Sequence, residues 1–265
     1  MTIESGWTVM TGRWFTGAYD ETGIDVRLVR LGSEPTVLGA SVSALKAGAA
    51  GQTVTIFGAN LPTTIAASDI GFGQGVKVNR VVSSRADAIA VELDVAPNAV
   101  IGPRDLAVGG AVRPSALVIY DKIDALRVVP QAGLARIGGV VAPKQFQQFE
   151  AVGISNGPDR KPGTADDLNV GAVEVKWSIE EYTATFADDD VRYVGAIGAD
   201  GLFTPNIDGP NPNRSGNRDN VGDVWVVADL ANPAAVGALQ PLRGRAHLLV
   251  TVPIYIGWFE SEGQR

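Results

Sequence analysis

The sequence predicts an all-β protein. Runs rich in β-branched residues recur at the spacing of about 8–12 residues that is typical of β-sandwiches, with Gly, Asn and Pro between them. The 265 residues include 32 glycines and 15 prolines, which indicates many turns. No segment shows the periodicity of an amphipathic helix longer than about two turns. We therefore expect a β-hairpin at residues 1–33 and two β-sandwich domains, 34–121 and 122–265.

The hairpin is predicted from two runs, WTVMTGRWF and IDVRLVRL, within residues 7–31. In the second run Ile24, Val26 and Leu28 alternate with charged residues, a pattern typical of a half-buried strand. A two-stranded hairpin is only marginally stable by itself. We therefore expect these residues to pair with the following domain, with another chain or with further strands.

The first sandwich is predicted from five short runs in residues 34–121: TVTIFG, VKVNRVV, AIAVELDV, RDLAVGG and ALVIY. Turn residues separate them, as in the segment Phe57 to Pro62, which supplies Gly, Asn and Pro. Short strands at this spacing are typical of an immunoglobulin-like sandwich.

The second sandwich is predicted from a similar series in residues 122–265. The runs are DALRVVP, QQFEAVGIS, AVEVKWSIEEY, VRYVGAIGADGLFTP, GDVWVVADL and RAHLLVTVPIYIGW. Trp177 lies in an alternating strand and suits the central tryptophan of a second immunoglobulin-like domain.

Composition excludes several classes of function. The net charge is -7 and the pI about 4.8, with no run of Lys or Arg, so nucleic acid is not an expected partner. No apolar run reaches the ~18 residues of a membrane helix, and the first ten residues lack the basic start and apolar stretch of a signal peptide. We expect no membrane span, and nothing in this chain directs it to export.

The absence of cysteine limits the chemistry further. It removes disulfides, thiolate metal sites, cysteine nucleophiles and covalent haem attachment through C-x-x-C-H. His247 is the only histidine, no G-x-S-x-G occurs, and we expect a half-exposed strand histidine. We assign no catalytic residue and no cofactor-binding residue to this chain.

One acidic loop, GPDRKPGTADDLNVG at residues 157–171, offers oxygen ligands of the kind that calcium prefers. These are Asp159, Asp166, Asp167 and Asn169. The spacing does not match the EF-hand loop, and Arg160 and Lys161 oppose a cation by charge. A solvated turn is therefore favoured over a metal site, and if the loop binds a ligand we expect a structural calcium ion. A second polar loop, residues 206–223, is long enough to contact a partner subunit.

Several longer stretches resemble a known family. The segments GWTVMTGRWFTGAYDETGIDVRLVRLG, PTVLGASVSALKAGAAGQTVTIFGANLP, VEVKWSIEEY and GLFTPNIDGPNPNRSGNRDNVGDVWVVA look like the C-terminal part of the quinohemoprotein amine dehydrogenase alpha subunit. The likeness covers nearly the whole chain. Its most specific stretches are TGRWFTGAYDETG and NPNRSGNRDNVGDVWVVA.

The resemblance implies a periplasmic complex that oxidises primary amines. It implies that residues 1–33 match the last hairpin of a β-barrel domain and that the rest matches two immunoglobulin-like domains. The expected partners are a β-propeller subunit, a subunit bearing cysteine tryptophylquinone, and a dihaem cytochrome c domain. Because this chain has no cysteine, haem c and the quinone are expected elsewhere in the complex, and this part lacks the cytochrome domain.

Two functions are therefore predicted from the sequence. The first is a non-catalytic scaffold that contacts other subunits of an amine dehydrogenase, and it predicts an exposed, partly apolar hairpin edge. The alternative is an independent β-sandwich binding module for a carbohydrate or protein ligand, with Trp14, Trp225 or Trp258 as a stacking platform.

Overall fold

The computed structural model describes residues 2–4, 6–14, 24–139, 142–182, 189–214 and 219–253. Within these residues the regular structure is β-strand, apart from one α-helical turn, Asp190–Tyr193 (α1), and one 3-10 turn, Ala67–Asp69. This confirms the all-β prediction. The helical turn replaces part of the predicted strand run that begins at Val191.

The strands are numbered along the chain. They are β1 (Thr2–Ile3), β2 (Val9–Trp14), β3 (Ile24–Val29), β4 (Thr36–Ala40), β5 (Ala44–Lys46), β6 (Gln52–Ala59), β7 (Ile70–Gly71), β8 (Val76–Ser84), β9 (Ala88–Val95), β10 (Gly102–Val108), β11 (Ala111–Tyr120), β12 (Ala125–Val129), β13 (Ala132–Arg136), β14 (Gln147–Gln148), β15 (Glu150–Ser155), β16 (Leu168–Ala172), β17 (Val175–Glu181), β18 (Gly195–Ile197), β19 (Leu202–Pro205), β20 (Gly222–Leu230) and β21 (Arg243–Thr251).

The residues form two compact units. Unit 1 comprises residues 1–127, 151–176 and 228–244, and unit 2 comprises residues 128–150, 177–227 and 245–265. The boundary expected at 121/122 does not coincide with this division, because unit 1 continues past residue 121. The domain limits proposed from the sequence remain a prediction.

Unit 1 contains a two-sheet sandwich. One sheet has the order β4-β6-β9-β8 and is antiparallel; the other has the order β5-β11-β10-β7, in which β5 pairs with β11 in parallel. Inward side chains of both sheets form one core, in which Ile56, Ile89, Leu93, Leu106 and Ile119 have no exposed surface. This alternation of inward apolar residues places the polar residues of the same strands on the outside.

A second core of unit 1 includes residues on both sides of position 121. Tyr120 packs with Ile123, Val170, Leu230 and Leu242. A hydrogen bond adjoins this core, because Ser43 Oγ donates to the carbonyl oxygen of Val170 at 2.9 Å. At the next residue, Gly171 has φ +91°, and a Cβ there would lie 2.1 Å from Ser43 Oγ. Glycine is therefore required at this close approach.

Unit 2 is built on two further sheets. The orders are β13-β21-β20-β17, with β13 and β21 parallel, and β14-β19-β18, which is antiparallel. Both sheets contribute fully buried side chains, among them Phe203 of β19 and Val226 and Leu248 of the larger sheet.

Unit 2 also contains a buried ion pair. Arg214 Nη2 donates to Asp190 Oδ1 at 2.6 Å, and the two side chains are 2% and 4% exposed. The backbone N–H of Asp223 donates to the other carboxylate oxygen at 2.8 Å. Gly222 lies against this carboxylate, since a Cβ there would be 2.1 Å from Asp190 Cγ. The described part of the loop at residues 206–223 is thus anchored on Asp190.

Candidate functional site

The N-terminal sheet β1-β2-β3 carries one apolar face. Residues that pair directly in antiparallel strands lie on the same side of the sheet. Ile3 pairs with Met10, Met10 pairs with Leu28, and Gly12 pairs with Val26. The other side is more polar and includes the pairs Thr11 with Arg27 and Arg13 with Asp25. We call the apolar side the hairpin face and define it as Ile3, Met10, Trp14, Val26 and Leu28.

The hairpin face is open to solvent. No described side chain in residues 2–35 is buried. Trp14 is 53% exposed, Leu28 43% and Ile3 42%. Single exposed apolar residues are ordinary, whereas these share one side of a single sheet. Exposed apolar side chains are therefore present on this sheet, and the scaffold role that they would serve stays a prediction.

Trp7 adds a second exposed ring beside this sheet. Its side chain is 72% exposed, and its backbone has φ +57° after Gly6 at +86°. A bulky residue rarely adopts this left-handed conformation, which is strained. The turn is fixed by backbone bonds, because Trp7 N–H donates to the Glu4 carbonyl oxygen at 3.2 Å. The backbone thus holds an indole ring in solvent, where a partner protein can bury it.

The acidic loop is held together by its own carboxylates. Asp166 Oδ2 accepts the backbone N–H of Asp159 at 3.0 Å, and Asp166 Oδ1 accepts the Thr164 hydroxyl at 2.8 Å. Asp159 Oδ1 and Asp167 Oδ2 each accept a further loop N–H at 2.8 Å. The bond from the Lys161 N–H to Asp159 is an Asx turn, and Asp166 and Asp167 close the loop by accepting N–H groups that come earlier in the chain.

Asn169 does not lie in this loop. It is the second residue of β16, between the buried Leu168 and Val170, and its Oδ1 accepts the N–H of Gly171 at 2.8 Å. The prediction of a loop as far as residue 171 is therefore wrong at its end, because Leu168 and Val170 alternate as strand residues do.

The basic residue inside the loop has a partner of its own. Arg160 donates two hydrogen bonds to the Asp121 carboxylate, at 2.7 and 2.9 Å. In the part of the chain that the structure describes, no group of three or more Asp, Glu or His residues is arranged to hold a metal ion. The calcium site at Asp159, Asp166, Asp167 and Asn169 stays a prediction.

Protonation of Asp166 is expected to weaken the loop. The Asp159 N–H, together with the Thr164 hydroxyl, holds the pKa of the Asp166 carboxyl below its ordinary value. A depressed pKa in the folded state stabilises the fold above the ordinary pKa and loses that contribution as the pH falls through the folded value. We therefore expect Asp166→Asn to lower the Tm at pH 7 and to approach the wild-type Tm at low pH.

Melting curves between pH 2 and pH 7 test this expectation, with Asp200→Asn in a different turn as the comparison variant. A Tm difference for Asp166→Asn that does not shrink toward acid would contradict it. The same curves recorded with added Ca²⁺ and with a chelator test the calcium prediction, which requires the Tm to rise with the ion.

Unit 1 also contains a cleft of about 470 Å³. It is lined by Ser41, Ser43, Tyr120, Glu174, Leu230 and Val236, with further apolar residues. Its serine hydroxyls hold backbone groups, because Ser43 Oγ donates to the Val170 carbonyl and Ser41 Oγ accepts the N–H of Thr55. The two serine hydroxyls of the cleft are thus committed to the fold.

His247 lies in β21 with a side chain 32% exposed, as the sequence predicts. Its Nε2 is 3.0 Å from Asp223 Oδ2, and its ring packs against Tyr182 with centroids 4.3 Å apart. Trp225 packs against the same tyrosine at 4.8 Å. Among the described residues no serine or threonine is hydrogen-bonded to this histidine. The arrangement is a polar aromatic cluster that sequence reasoning did not identify.

The fold and these sites define a class of protein. It is an all-β protein of immunoglobulin-like sandwiches, with exposed apolar sheet surface and, within the described residues, no assembled nucleophile or metal set. Two domain models match the sequence: quinohemoprotein amine dehydrogenase, alpha subunit domain III, over residues 34–121, and alpha subunit domain IV, over residues 126–261. The chain belongs to the quinohemoprotein amine dehydrogenase alpha subunit family.

Other comparisons add little. No curated protein sequence matches the chain. Solved structures similar to it include mouse clustered PcdhgC3 EC1-3, at 14% identity, with 87% of this chain and 72% of that chain covered and a TM-score of 0.32. Human protocadherin-24 EC1-2 shows 12% identity over 83% of this chain and 98% of that chain, with a TM-score of 0.29. The described residues contain no helix long and apolar enough to cross a membrane.

Proposed function

We propose that this chain is the non-catalytic scaffold and subunit-interaction portion of a quinohemoprotein amine dehydrogenase alpha subunit. The complex would oxidise primary amines and pass the electrons on through haem c, in the periplasm. The observation that carries this proposal is the exposed hairpin face on a chain of this family.

The physical basis is the apolar area that the hairpin face leaves in water. Removing a large apolar side chain from water contributes about 1.5–3 kcal/mol. Trp14, Leu28 and Ile3 are each about half exposed, and Trp7 more so, so their burial against other protein supplies a driving force for association. The opposite side of the sheet, with Arg27 and Asp25, suits the solvent-facing side of such a contact.

Partners and cofactors follow from the family. The proposed partners are the β-propeller subunit, the subunit that bears cysteine tryptophylquinone, and the dihaem cytochrome c domain. Haem attachment by C-x-x-C-H needs cysteine, and this chain has none, so haem c and the quinone belong to those other parts. The proposed role of this chain is to position them, and the one ion that its sequence suggests is a structural calcium in the acidic loop, where a solvated turn is favoured.

The alternative function is an independent binding module with an aromatic stacking platform. Such a platform needs exposed rings in one plane. The Tyr182 and Trp225 rings are tilted by 42°, and the Arg245 guanidinium covers Trp225 at 4.3 Å. Trp14 lies on the hairpin face, and Trp258 is outside the described residues. The observations therefore favour the scaffold.

A charge on the hairpin face is expected to disrupt assembly. We expect Leu28→Glu to reduce co-purification of the tagged chain with the haem and quinone subunits about tenfold or more, because the new carboxylate must lose its water in the contact. The measurement is a pull-down from cells that express the whole complex, with spectra recorded for haem and quinone absorbance.

The matched control is Arg27→Glu, one residue earlier in β3 and on the other side of the sheet. It should leave co-purification unchanged. A wild-type chain that is monomeric and captures neither haem nor quinone absorbance would overturn the proposed function. A glycan screen with positive binding would support the alternative in its place.

A further inference from the structure

A second exposed surface lies in unit 2, on the outer side of β20 and β21. Along β21 the residues Arg245, His247 and Leu249 alternate with the buried Ala246 and Leu248, so they share the outer side. We call this surface the Arg245 face. It comprises Tyr182, Trp225, Arg245, His247 and Leu249.

Aromatic rings and a guanidinium form the centre of this surface. The Arg245 Cζ atom lies 4.3 Å from the Trp225 ring centroid. The Trp225 and His247 rings are 5.9 Å apart in an edge arrangement, and Tyr182 contacts both. These rings fix one another in place, so a ligand would meet a pre-ordered surface.

The charges of this surface are unequally compensated. Asp223 Oδ2 lies 3.0 Å from His247 Nε2, whereas no carboxylate among the described residues contacts the Arg245 guanidinium. An arginine stacked on an indole keeps its N–H groups at the edge of the guanidinium plane. That edge is suited to a bidentate contact with a carboxylate. The Arg245 guanidinium therefore complements an acidic group, while the nearby Asp223 carboxylate is engaged by His247.

Exposed apolar area extends the surface along β21. Leu249 is 45% exposed and lies beside Leu134, with which it is paired in register. Tryptophan, tyrosine and arginine are the residues most enriched among those that dominate binding energy at protein interfaces. The composition thus matches the centre of an interface.

We propose that the Arg245 face binds an acidic segment of another subunit of the complex, with a carboxylate on Arg245 and an apolar side chain against Leu249. This inference rests on the proposed function and assigns a second contact surface to it, apart from the hairpin face. A sugar acid is the competing ligand that the test must distinguish.

The test measures binding of the full chain to the purified partner subunits. We expect Arg245→Glu to weaken binding about tenfold or more, and Arg245→Lys to weaken it less, because lysine keeps the charge but loses the planar fork. We also expect the wild-type affinity to fall with salt more steeply than that of Arg245→Glu. Trp225→Leu should weaken binding while leaving that salt dependence in place.

Arg192→Glu is the matched control. Arg192 is an exposed arginine of the same unit and also lies over an aromatic ring, that of Tyr193, at 5.7 Å. This variant should bind as the wild type does, and melting curves of all variants should show a folded chain. If wild type binds the subunits and Arg245→Glu binds them equally well, the inference is wrong and the proposed function stands. If wild type binds no subunit, the proposed function fails first. Binding of glucuronate that depends on Arg245, with no effect of Arg245→Glu on subunit binding, would also overturn the inference.

Discussion

Arg214→Ala is expected to lower the free energy of unfolding by about 3–5 kcal/mol, the range measured when one partner of a buried ion pair is removed. The substitution leaves the Asp190 carboxylate, 4% exposed, without the guanidinium that contacts it at 2.6 Å. It also removes the donors to the carbonyl oxygens of Asp219 and Val221, which Arg214 Nη1 contacts at 3.0 and 2.8 Å. Urea denaturation followed by tryptophan fluorescence measures the change.

Arg192→Ala is the comparison for this experiment, because Arg192 is an exposed arginine two residues from Asp190. A surface substitution of this kind changes stability by about 0.5 kcal/mol or less. The double variant Arg214→Leu with Asp190→Leu should recover part of the lost stability, since it removes the unpaired Asp190 charge but leaves the backbone partners of both side chains unsatisfied. An Arg214→Ala chain as stable as wild type would show that the pair contributes nothing to folding.

Leu93→Ala is expected to destabilise the sandwich of unit 1 by about 2–5 kcal/mol, as other large-to-small core changes do. Leu93 lies in β9, a central strand of its sheet, and has no exposed surface. Its removal leaves a cavity among residues of both sheets that cannot collapse without moving strands. Differential scanning calorimetry measures the shift in Tm.

Val82→Ala is the matched control, because Val82 lies in the neighbouring edge strand β8 and is 48% exposed. It should shift the Tm by little, since about half of its surface already contacts water. Equal shifts for Leu93→Ala and Val82→Ala would contradict the burial of β9.

Strands with strong alternation could be predicted from sequence alone. The run AIAVELDV corresponds to β9, Ala88–Val95, and its residues Ile89, Val91 and Leu93 are all buried. Here the local preference of the residues for a strand and their burial in the folded protein favour the same structure. The strand β3 was predicted for the same reason, because Val26 and Leu28 alternate with charged residues, but Leu28 on its apolar side is exposed and not half-buried as expected.

Strands that depend on distant partners could not be predicted. The run AGLAR of β13 has no β-branched residue, and it forms a strand by pairing in parallel with β21, more than a hundred residues later in the chain. Strand β16 follows an acidic turn and was included in the loop. In both cases local preference is weak and the pairing decides the structure.

The Arg245 face is a further case. Tyr182, Trp225 and Arg245 lie on three separate segments, and only the folded sheet brings their side chains together. The sequence offers one indication of this surface: Arg245 and His247 are two residues apart in β21, and Asp223 and Trp225 are two residues apart in β20. That spacing places each pair on one side of a strand, but it does not show which side is outermost.

The core around Tyr120 has a practical consequence for anyone who dissects this chain. A fragment that ends at residue 121 would keep Tyr120 and lose Ile123, Val170, Leu230 and Leu242, which cover it. The fragment and the remaining part of the chain would each expose apolar side chains that pack together in the intact protein, and such surfaces promote aggregation. The hydrogen bond between Ser43 and Val170 would also be lost. Recombinant work on this protein therefore needs residues 34–121 and the segments that follow them in a single polypeptide.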